Sequence, residues 1–202
     1  RLLKIIFLTY QDVTFWSTLP PFLPLSSMTK NYIRLLCSLK SPITELWPSQ
    51  TESLPLALGN SNGGVINLRT SGGKTRVAEL AILKMLTENP TSKVLYLAPF
   101  RSLAFEIEQS LSKIFEPLDV TVSQLYGGAT ANVSDFEIIG FSQVIIATPE
   151  KAKALIRSGT ELENEVKLII IDEGHLFGAE KRHIKNEIFF NHLQKISDLK
   201  GI

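Results

Sequence analysis

The sequence predicts an α/β protein: a parallel β-sheet with helices on both faces, preceded by an irregular or partly helical N-terminal extension. Three observations predict it. Short runs of β-branched and aliphatic residues recur at 65–68, 94–98, 120–125, 144–147 and 168–171. These runs are almost continuously apolar rather than alternating, as strands buried on both faces are. Between them lie stretches with apolar residues at helical spacing, and strands alternating with helices build a parallel sheet.

The elements follow in order. Residues 1–8 have a basic start and an apolar run, but Thr9-Tyr10-Gln11-Asp12 interrupts it short of a signal sequence, so it reads as packing material. Leu19-Pro20-Pro21-Phe22-Leu23-Pro24 blocks helix and central strand alike. Residues 31–39 space Ile33, Leu35, Leu36 and Leu39 for a short helix, stopped near Ser41-Pro42. Residues 1–40 are therefore expected to be an N-terminal extension, and 41–202 the main domain. There, Val65-Ile66-Asn67-Leu68 predicts a strand, then a Gly-rich turn, then a helix over about 75–87 that stops before Asn89-Pro90. Residues 94–98 predict the second strand. Leu103, Ile107, Leu111 and Ile114 mark one face of the next helix. Residues 120–125 are the third strand, ending at Tyr126-Gly127-Gly128, and 144–147 the fourth. Pro149 opens a helix that Ser158-Gly159 closes. Residues 168–171 are the fifth strand, and a last helix is expected over about 181–196. Parallel sheets bind ligands beyond the carboxyl ends of their strands, and every motif below falls at such an end.

Composition bounds the class. In 202 residues, 44% hydrophobic and 20% charged, there is material for one substantial core and none of the signature of disorder. The net charge of +1 neither points to nucleic acid nor excludes it, because a basic groove can sit on a neutral protein. Cys37 stands alone, so no intramolecular disulfide or cysteine zinc site is available, which fits a reducing, cytoplasmic setting. No stretch approaches the roughly 18 apolar residues of a membrane span, so no membrane partner is expected. The chain starts at Arg1 rather than Met and reads as a piece of something longer.

Two stretches carry the chemistry. Thr70-Ser71-Gly72-Gly73-Lys74-Thr75 reads as a phosphate-binding loop. Glycines let backbone N–H groups approach phosphates, and the following helix presents its positive N-terminus. In such a loop Lys74 reaches the β/γ-phosphates and the Thr75 hydroxyl ligates Mg²⁺. The full G-x-x-x-x-G-K-[ST] pattern asks for Gly where Leu68 stands, so alone the loop is equally readable as a glycine turn with a solvated lysine. Ile169-Ile170-Ile171-Asp172-Glu173-Gly174-His175 is an apolar run that delivers two carboxylates to its end. Buried carboxylates are costly unless paired or bound to metal. Asp172 would hold Mg²⁺, and Glu173 would orient and deprotonate the attacking water. Both could instead begin a surface loop. His175 reads either as a link between nucleotide state and other elements or as a packed histidine. His183 and His192 lack metal-ligand spacing. The two stretches together point to binding and hydrolysis of a nucleoside triphosphate.

With these residues in place, the chain resembles the first RecA-like P-loop NTPase domain of superfamily 2 DExH/DEAD-box helicases, closest to the Ski-like branch, over residues 43–196. The phosphate loop matches motif I, with Arg76-Val77-Ala78-Glu79-Leu80-Ala81 continuing as in that branch. Leu95-Tyr96-Leu97-Ala98-Pro99-Phe100-Arg101-Ser102-Leu103-Ala104 resembles motif Ia, Thr148-Pro149-Glu150-Lys151 matches motif Ib, and Asp172-Glu173-Gly174-His175 is motif II. Glu45-Leu46-Trp47-Pro48-Ser49-Gln50 is similar to the upstream segment whose Gln reads adenine. The resemblance implies ATP and Mg²⁺ as cofactors, with Gln50, Thr70, Ser71, Gly72, Gly73, Lys74 and Thr75 around the nucleotide. It implies a DNA or RNA partner, single-stranded and gripped without regard to sequence. Pro99, Phe100, Arg101, Ser102, Gly127, Gly128, Thr148, Pro149, Glu150 and Lys151 would make the contacts. At strand-to-helix turns such residues grip phosphates through backbone N–H groups. Thr148-Pro149-Glu150 is also an ordinary helix start, with Thr as N-cap and Pro at N1.

The departures are specific. Leu68 and Arg69 stand where the family has Ala and Pro, Ser71-Gly72 reverses Gly-Ser, and Gly174 replaces Ala or Val. The next strand, with its Ser-Ala-Thr-like motif, is expected to be missing from this sequence, as is a second RecA-like domain with its arginine fingers. The expected function is that of the ATP-binding domain of a helicase or translocase. The alternatives are a nucleic-acid-binding scaffold with a degenerate ATPase, and a duplex translocase that does not unwind.

Overall fold

The structure, a computed structural model, describes residues 13–59, 63–69, 72–125, 127–128, 130–159, 162–174, 188, 189, 191, 193 and 200–202. The chain forms two compact units, Arg1–Glu88 and Asn89–Ile202.

The first unit is helical. Its elements are α1 (Phe15–Thr18), α2 (Ser27–Ser38), α3 (Pro48–Leu58) and α4 (Lys74–Glu88). Helix α2 starts four residues before the expected position because the Ser26 hydroxyl accepts the Thr29 N–H at 3.1 Å and caps it. Its Tyr32, Ile33 and Leu36 are buried. Helix α3 is not among the elements expected from the sequence; Pro48 sits at N1, where its missing N–H is no loss, and Pro55 lies inside it. Helix α4 is apolar nearly all round, with Val77, Leu80, Ala81, Ile82, Leu83 and Leu86 buried, as befits a helix packed on more than one side. Its neighbours are α2 and α3.

The strand expected at 65–68 is the main correction in this unit. Val65 is 91% exposed, and burial alternates along the run, with Ile66 and Leu68 half-covered and Asn67 and Arg69 exposed. Among the described residues the segment belongs to no helix and no ladder. Two covered side chains offer too little apolar surface to seat a central strand. Gly64 instead passes so near α3 that a Cβ there would lie 2.5 Å from Leu56 Cδ1.

The second unit is the parallel sheet. Strands β1 (Lys93–Leu97), β2 (Val122–Gln124), β3 (Val144–Ala147), β4 (Val166–Ile171) and β5 (Lys200–Gly201) lie in the order β2-β3-β1-β4-β5, each neighbour parallel. Every residue of β1 and β3 is buried, so both sheet faces are covered, as the continuous apolar runs require. Connecting helices are α5 (Arg101–Phe115), α6 (Val133–Phe141), α7 (Pro149–Arg157) and α8 (Leu162–Glu165), with a 3₁₀ turn at Glu116–Leu118. Helix α5 buries Ile107, Leu111 and Ile114 of the expected stripe, while Leu103 is only half-buried and Ala104 beside it is covered instead. Helix α6 lies outside the sequence expectation; an Asn132/Asp135 capping box starts it, each side chain accepting the other's N–H at 2.8–3.0 Å. Helix α7 begins as expected, with Thr148 Oγ1 accepting the Lys151 N–H, and Gly159 follows its end at φ +77.

The sequence predicts no strand after β4, and the structure corrects this: Lys200 and Gly201 pair in parallel with Leu168 and Ile169. Of the last expected helix, Ile188, Phe189, Asn191 and Leu193 are helical, and the rest of 181–196 lies outside the described residues. Phe189 and Leu193 join a core with Leu95, Leu97, Ile145, Ala147, Leu155 and Ile169. Among the described residues no helix is long and apolar enough to cross a membrane.

Candidate nucleotide and nucleic-acid site

In the first unit the phosphate loop ends at the start of α4. Thr70 and Ser71 lie outside the described residues. The Gly72 N–H donates to the Arg69 carbonyl at 2.7 Å, and a Cβ on Gly72 would come within 2.8 Å of that oxygen and 3.2 Å of Leu68 Cβ. The Arg69 carbonyl, with Leu68 Cβ close beside it, thus leaves room only for glycine at 72. Gly73 has φ +76, and a Cβ there would lie 1.9 Å from Gln50 Nε2. Only glycine satisfies both conditions. Lys74 and Thr75 open α4, with Thr75 exposed and Lys74 half-buried. A lysine and a hydroxyl in the first turn behind two glycines is the arrangement that phosphate binding asks for.

Gln50 occupies N3 of α3 and is 6% exposed. Its Oε1 accepts the Trp47 N–H at 2.9 Å, while Nε2 donates to the Gly73 carbonyl at 3.2 Å. In this structure its amide ties α3 to the phosphate loop. The same Gly73 carbonyl accepts the Arg76 N–H at 3.0 Å.

A buried polar cluster one turn along α4 has no counterpart in the sequence expectations. The Tyr32 hydroxyl donates to Glu79 Oε2 at 3.0 Å, and Arg76 Nη1 donates both to the Tyr32 oxygen at 3.0 Å and to Glu79 Oε2. Burial raises the Glu79 carboxyl above its ordinary range, against the pull of Arg76 and the Tyr32 hydroxyl. Burial and the neighbouring Glu79 hold the Tyr32 phenol well above its usual value. Arg76, lowered by burial, is held above its ordinary value by Tyr32 and Glu79. Tyr32 lies 47 residues from Glu79, so no local pattern announces the pair.

In the second unit four motif-bearing loops leave the carboxyl ends of four parallel strands. After β1, Pro99 is half-buried while Phe100, Arg101 and Ser102 are exposed at the start of α5. After β2, Gly127 and Gly128 are exposed, Gly127 with φ +97. After β3, Thr148 and Glu150 are half-buried and Pro149 is buried. After β4 come Asp172 and Glu173, both half-buried, and the exposed Gly174. His175 lies outside the described residues.

Lys151 is placed otherwise than a phosphate contact would be. It is 1% exposed, and its Nζ donates to Asp135 Oδ2 at 2.6 Å and to the Thr130 carbonyl at 2.9 Å. Asp135, 2% exposed, also accepts the Asn132 N–H. A Cβ on Gly127 would lie 3.7 Å from the Lys151 ammonium. The lysine therefore sits beneath the Gly127–Gly128 loop and pins its continuation, because a buried ammonium needs a paired carboxylate.

Asp172 continues β4, its N–H donating to the Leu97 carbonyl at 2.9 Å. Its Oδ1 accepts the Glu173 N–H at 2.8 Å and its Oδ2 the Tyr96 hydroxyl at 3.1 Å. Glu173 has φ +50, a left-handed conformation that costs an L-residue about 1–2 kcal/mol and tends to persist at functional positions. A fixed carboxylate at a strand end and a threonine hydroxyl at a helix start are hard oxygen donors of the kind Mg²⁺ prefers.

A parallel sheet that gathers its functional loops at one edge, in a chain with a glycine phosphate loop before a helix, defines an α/β nucleotide-binding domain. The DEAD/DEAH box helicase family model matches residues 47–198, and the chain belongs to that family. It is 44% identical over 194 residues to the Hachiman protein HamB of Bacillus cereus, covering 96% of this chain and 17% of that protein. It is 32% identical over 163 residues to the ATP-dependent DNA helicase Hel308 of Pyrococcus horikoshii, covering 81% of this chain and 22% of that one. The chain thus spans about a fifth of the length of these relatives. Its fold is similar to that of Mycobacterium smegmatis helicase Lhr bound to ssDNA and AMP-PNP, with a TM-score of 0.73 at 21% identity over 92% of this chain and 25% of that one.

Proposed function

We propose that this chain is the ATP-binding part of a nucleic-acid motor, coupling Mg-ATP hydrolysis to movement along one strand of DNA or RNA. The observation that carries the reading is the placement of four motif loops at the carboxyl ends of four neighbouring parallel strands. Exposed backbone at Phe100–Ser102 and Gly127–Gly128 can grip phosphates without reading bases, as a translocating protein requires. The names of two relatives, a DNA helicase and a helicase bound to ssDNA and AMP-PNP, agree with that substrate class.

In this reading the backbone of residues 70–73 and Lys74 bind the β- and γ-phosphates. The Asp172 carboxylate would serve Mg²⁺, and the Thr75 hydroxyl is a further oxygen donor assigned to it; the ion would neutralise charge on those phosphates. Glu173 orients the attacking water and accepts its proton. His175 links nucleotide state to other elements, and Gln50 serves the adenine end. A second RecA-like domain supplies arginines, worth roughly 10³–10⁵ in rate.

The test is nucleic-acid-stimulated ATP hydrolysis and strand displacement by the whole protein. Lys74→Ala should abolish nucleotide binding, and Glu173→Gln should bind ATP without turning it over. A Glu173→Gln protein that hydrolyses ATP at the parent rate sinks the base assignment. The 202-residue chain by itself should bind Mg-ATP weakly and turn it over negligibly. Vigorous stimulated turnover from that piece alone would contradict the need for a second domain.

A further inference from the structure

Asp172 is held by a side chain to which the sequence assigned no role. The parallel register pairs Tyr96 with Ile170, and residues two apart on a strand share a face. Tyr96 and Asp172 are therefore diagonal neighbours on one face of the sheet, within reach of a long aromatic side chain. Tyr96 is 4% exposed, in a strand whose Val94, Leu95 and Leu97 are aliphatic. A phenylalanine would fill the same space, whereas a buried phenol must find a partner. It finds the carboxylate: its hydroxyl donates to Asp172 Oδ2 at 3.1 Å. The opposite oxygen, Oδ1, is fixed by the Glu173 N–H at 2.8 Å. Two donors, one on each oxygen, fix the plane of the carboxylate and leave its remaining lone pairs for a cation.

We propose that Tyr96 is the positioning residue of the magnesium carboxylate: its hydroxyl sets the orientation of Asp172 and thereby the affinity of the site for Mg²⁺. The proposal rests on the reading of Asp172 as the residue that serves Mg²⁺. Partners that orient a ligating group from behind typically account for about 10–100-fold in metal affinity or activity.

The experiment titrates Mg²⁺ into the whole protein at fixed concentration of a fluorescent, non-hydrolysable ATP analogue and reads binding rather than turnover. Tyr96→Phe should raise the Mg²⁺ midpoint about tenfold, leave analogue affinity in EDTA unchanged and keep the parent's circular dichroism. Asp172→Asn should raise the midpoint further, and Tyr96→Phe added to it should change nothing more, since residues acting as one unit are not additive. A Tyr96→Phe midpoint at the parent's value, with Asp172→Asn shifted, overturns the role of Tyr96 and leaves the magnesium reading standing. A Tyr96→Phe effect that persists in full beside Asp172→Asn also overturns it, because the hydroxyl would then act elsewhere. An unshifted Asp172→Asn midpoint overturns the magnesium reading, and this proposal with it.

Discussion

Lys151→Met distinguishes an anchor from a phosphate contact. The substitution keeps the length and apolar bulk of the stem but deletes the ammonium. Asp135, 2% exposed, then keeps the Asn132 N–H and loses its counter-charge. The Thr130 carbonyl loses its donor as well. Breaking a buried pair by removing one partner costs about 3–5 kcal/mol. At about 2–4 °C per kcal/mol for a chain of this size, the expected fall in Tm is roughly 6–20 °C. Calorimetry of the 202-residue chain reads it. Adding Asp135→Asn removes the stranded charge while keeping an acceptor for Asn132, so the double variant should recover much of the loss. Salt dependence supplies the contrast. A lysine on a phosphate lowers the slope of log affinity against log salt by about one when removed, whereas an anchor leaves the slope alone. A Lys151→Met protein with parent stability and a slope reduced by about one would refute the anchor.

Three further expectations follow from the same geometry. Gly73→Ala forces a Cβ to 1.9 Å from Gln50 Nε2 at φ +76, so isothermal titration should find nucleotide affinity at least about tenfold weaker, given a left-handed cost of about 1–2 kcal/mol before the clash is counted; parent-like affinity would show that the loop rearranges freely. Tyr32→Phe deprives Glu79 and Arg76 of a shared partner and should cost about 1–2 kcal/mol in denaturant unfolding, a loss absent if the cluster is already satisfied. Because the folded chain holds the Glu79 proton more tightly than the unfolded one, Glu79 contributes a fall in stability as pH rises from the ordinary carboxylate range to its raised value. Glu79→Gln should remove that slope, and an unchanged pH profile would count against it.

The sheet is legible in the sequence because its strands are buried on both faces. Residues 144–147 and the aliphatic stretch before Asp172 read as strands with no help from their neighbours, and their loops inherit the motifs. The run at 65–68 misleads because β-branched residues before a glycine turn look alike whether or not a ladder receives them; only the exposure of Val65 tells the cases apart. Helix α6 escapes notice although Asn132-x-x-Asp135 is a readable capping signal, because Val133, Phe136 and Phe141 lie on its exposed side and blur the helical period. Helix α3 hides behind Pro55. Of the site, the residue types are legible and their partners are not. Tyr96 meets Asp172 across 76 positions, and Lys151 meets Asp135 across 16. Such pairs are fixed by strand register and loop path, which a local pattern does not encode.

Those distant pairs share a physical cause. A loop that binds phosphate through its backbone must leave most of its N–H groups open to the ligand, so few of them, such as the Gly72 N–H on the Arg69 carbonyl, are left to hold its own shape. The anchoring then falls to buried side chains behind it. Gln50 holds the Gly73 carbonyl, Lys151 the Thr130 carbonyl, and Tyr96 the Asp172 carboxylate. Each such bond contributes only about 1 kcal/mol net when made, but leaving a buried partner unmade costs about 1–3 kcal/mol. That asymmetry penalises displaced loop conformations more than it stabilises the native fold. It follows that substitutions at these anchors should impair ligand affinity by letting the loops wander, even where the fold survives. Substitution of a residue proposed to touch the ligand, such as Lys74, should instead lower affinity with the loop still in place, so hydrogen exchange of the loop amides separates the two groups.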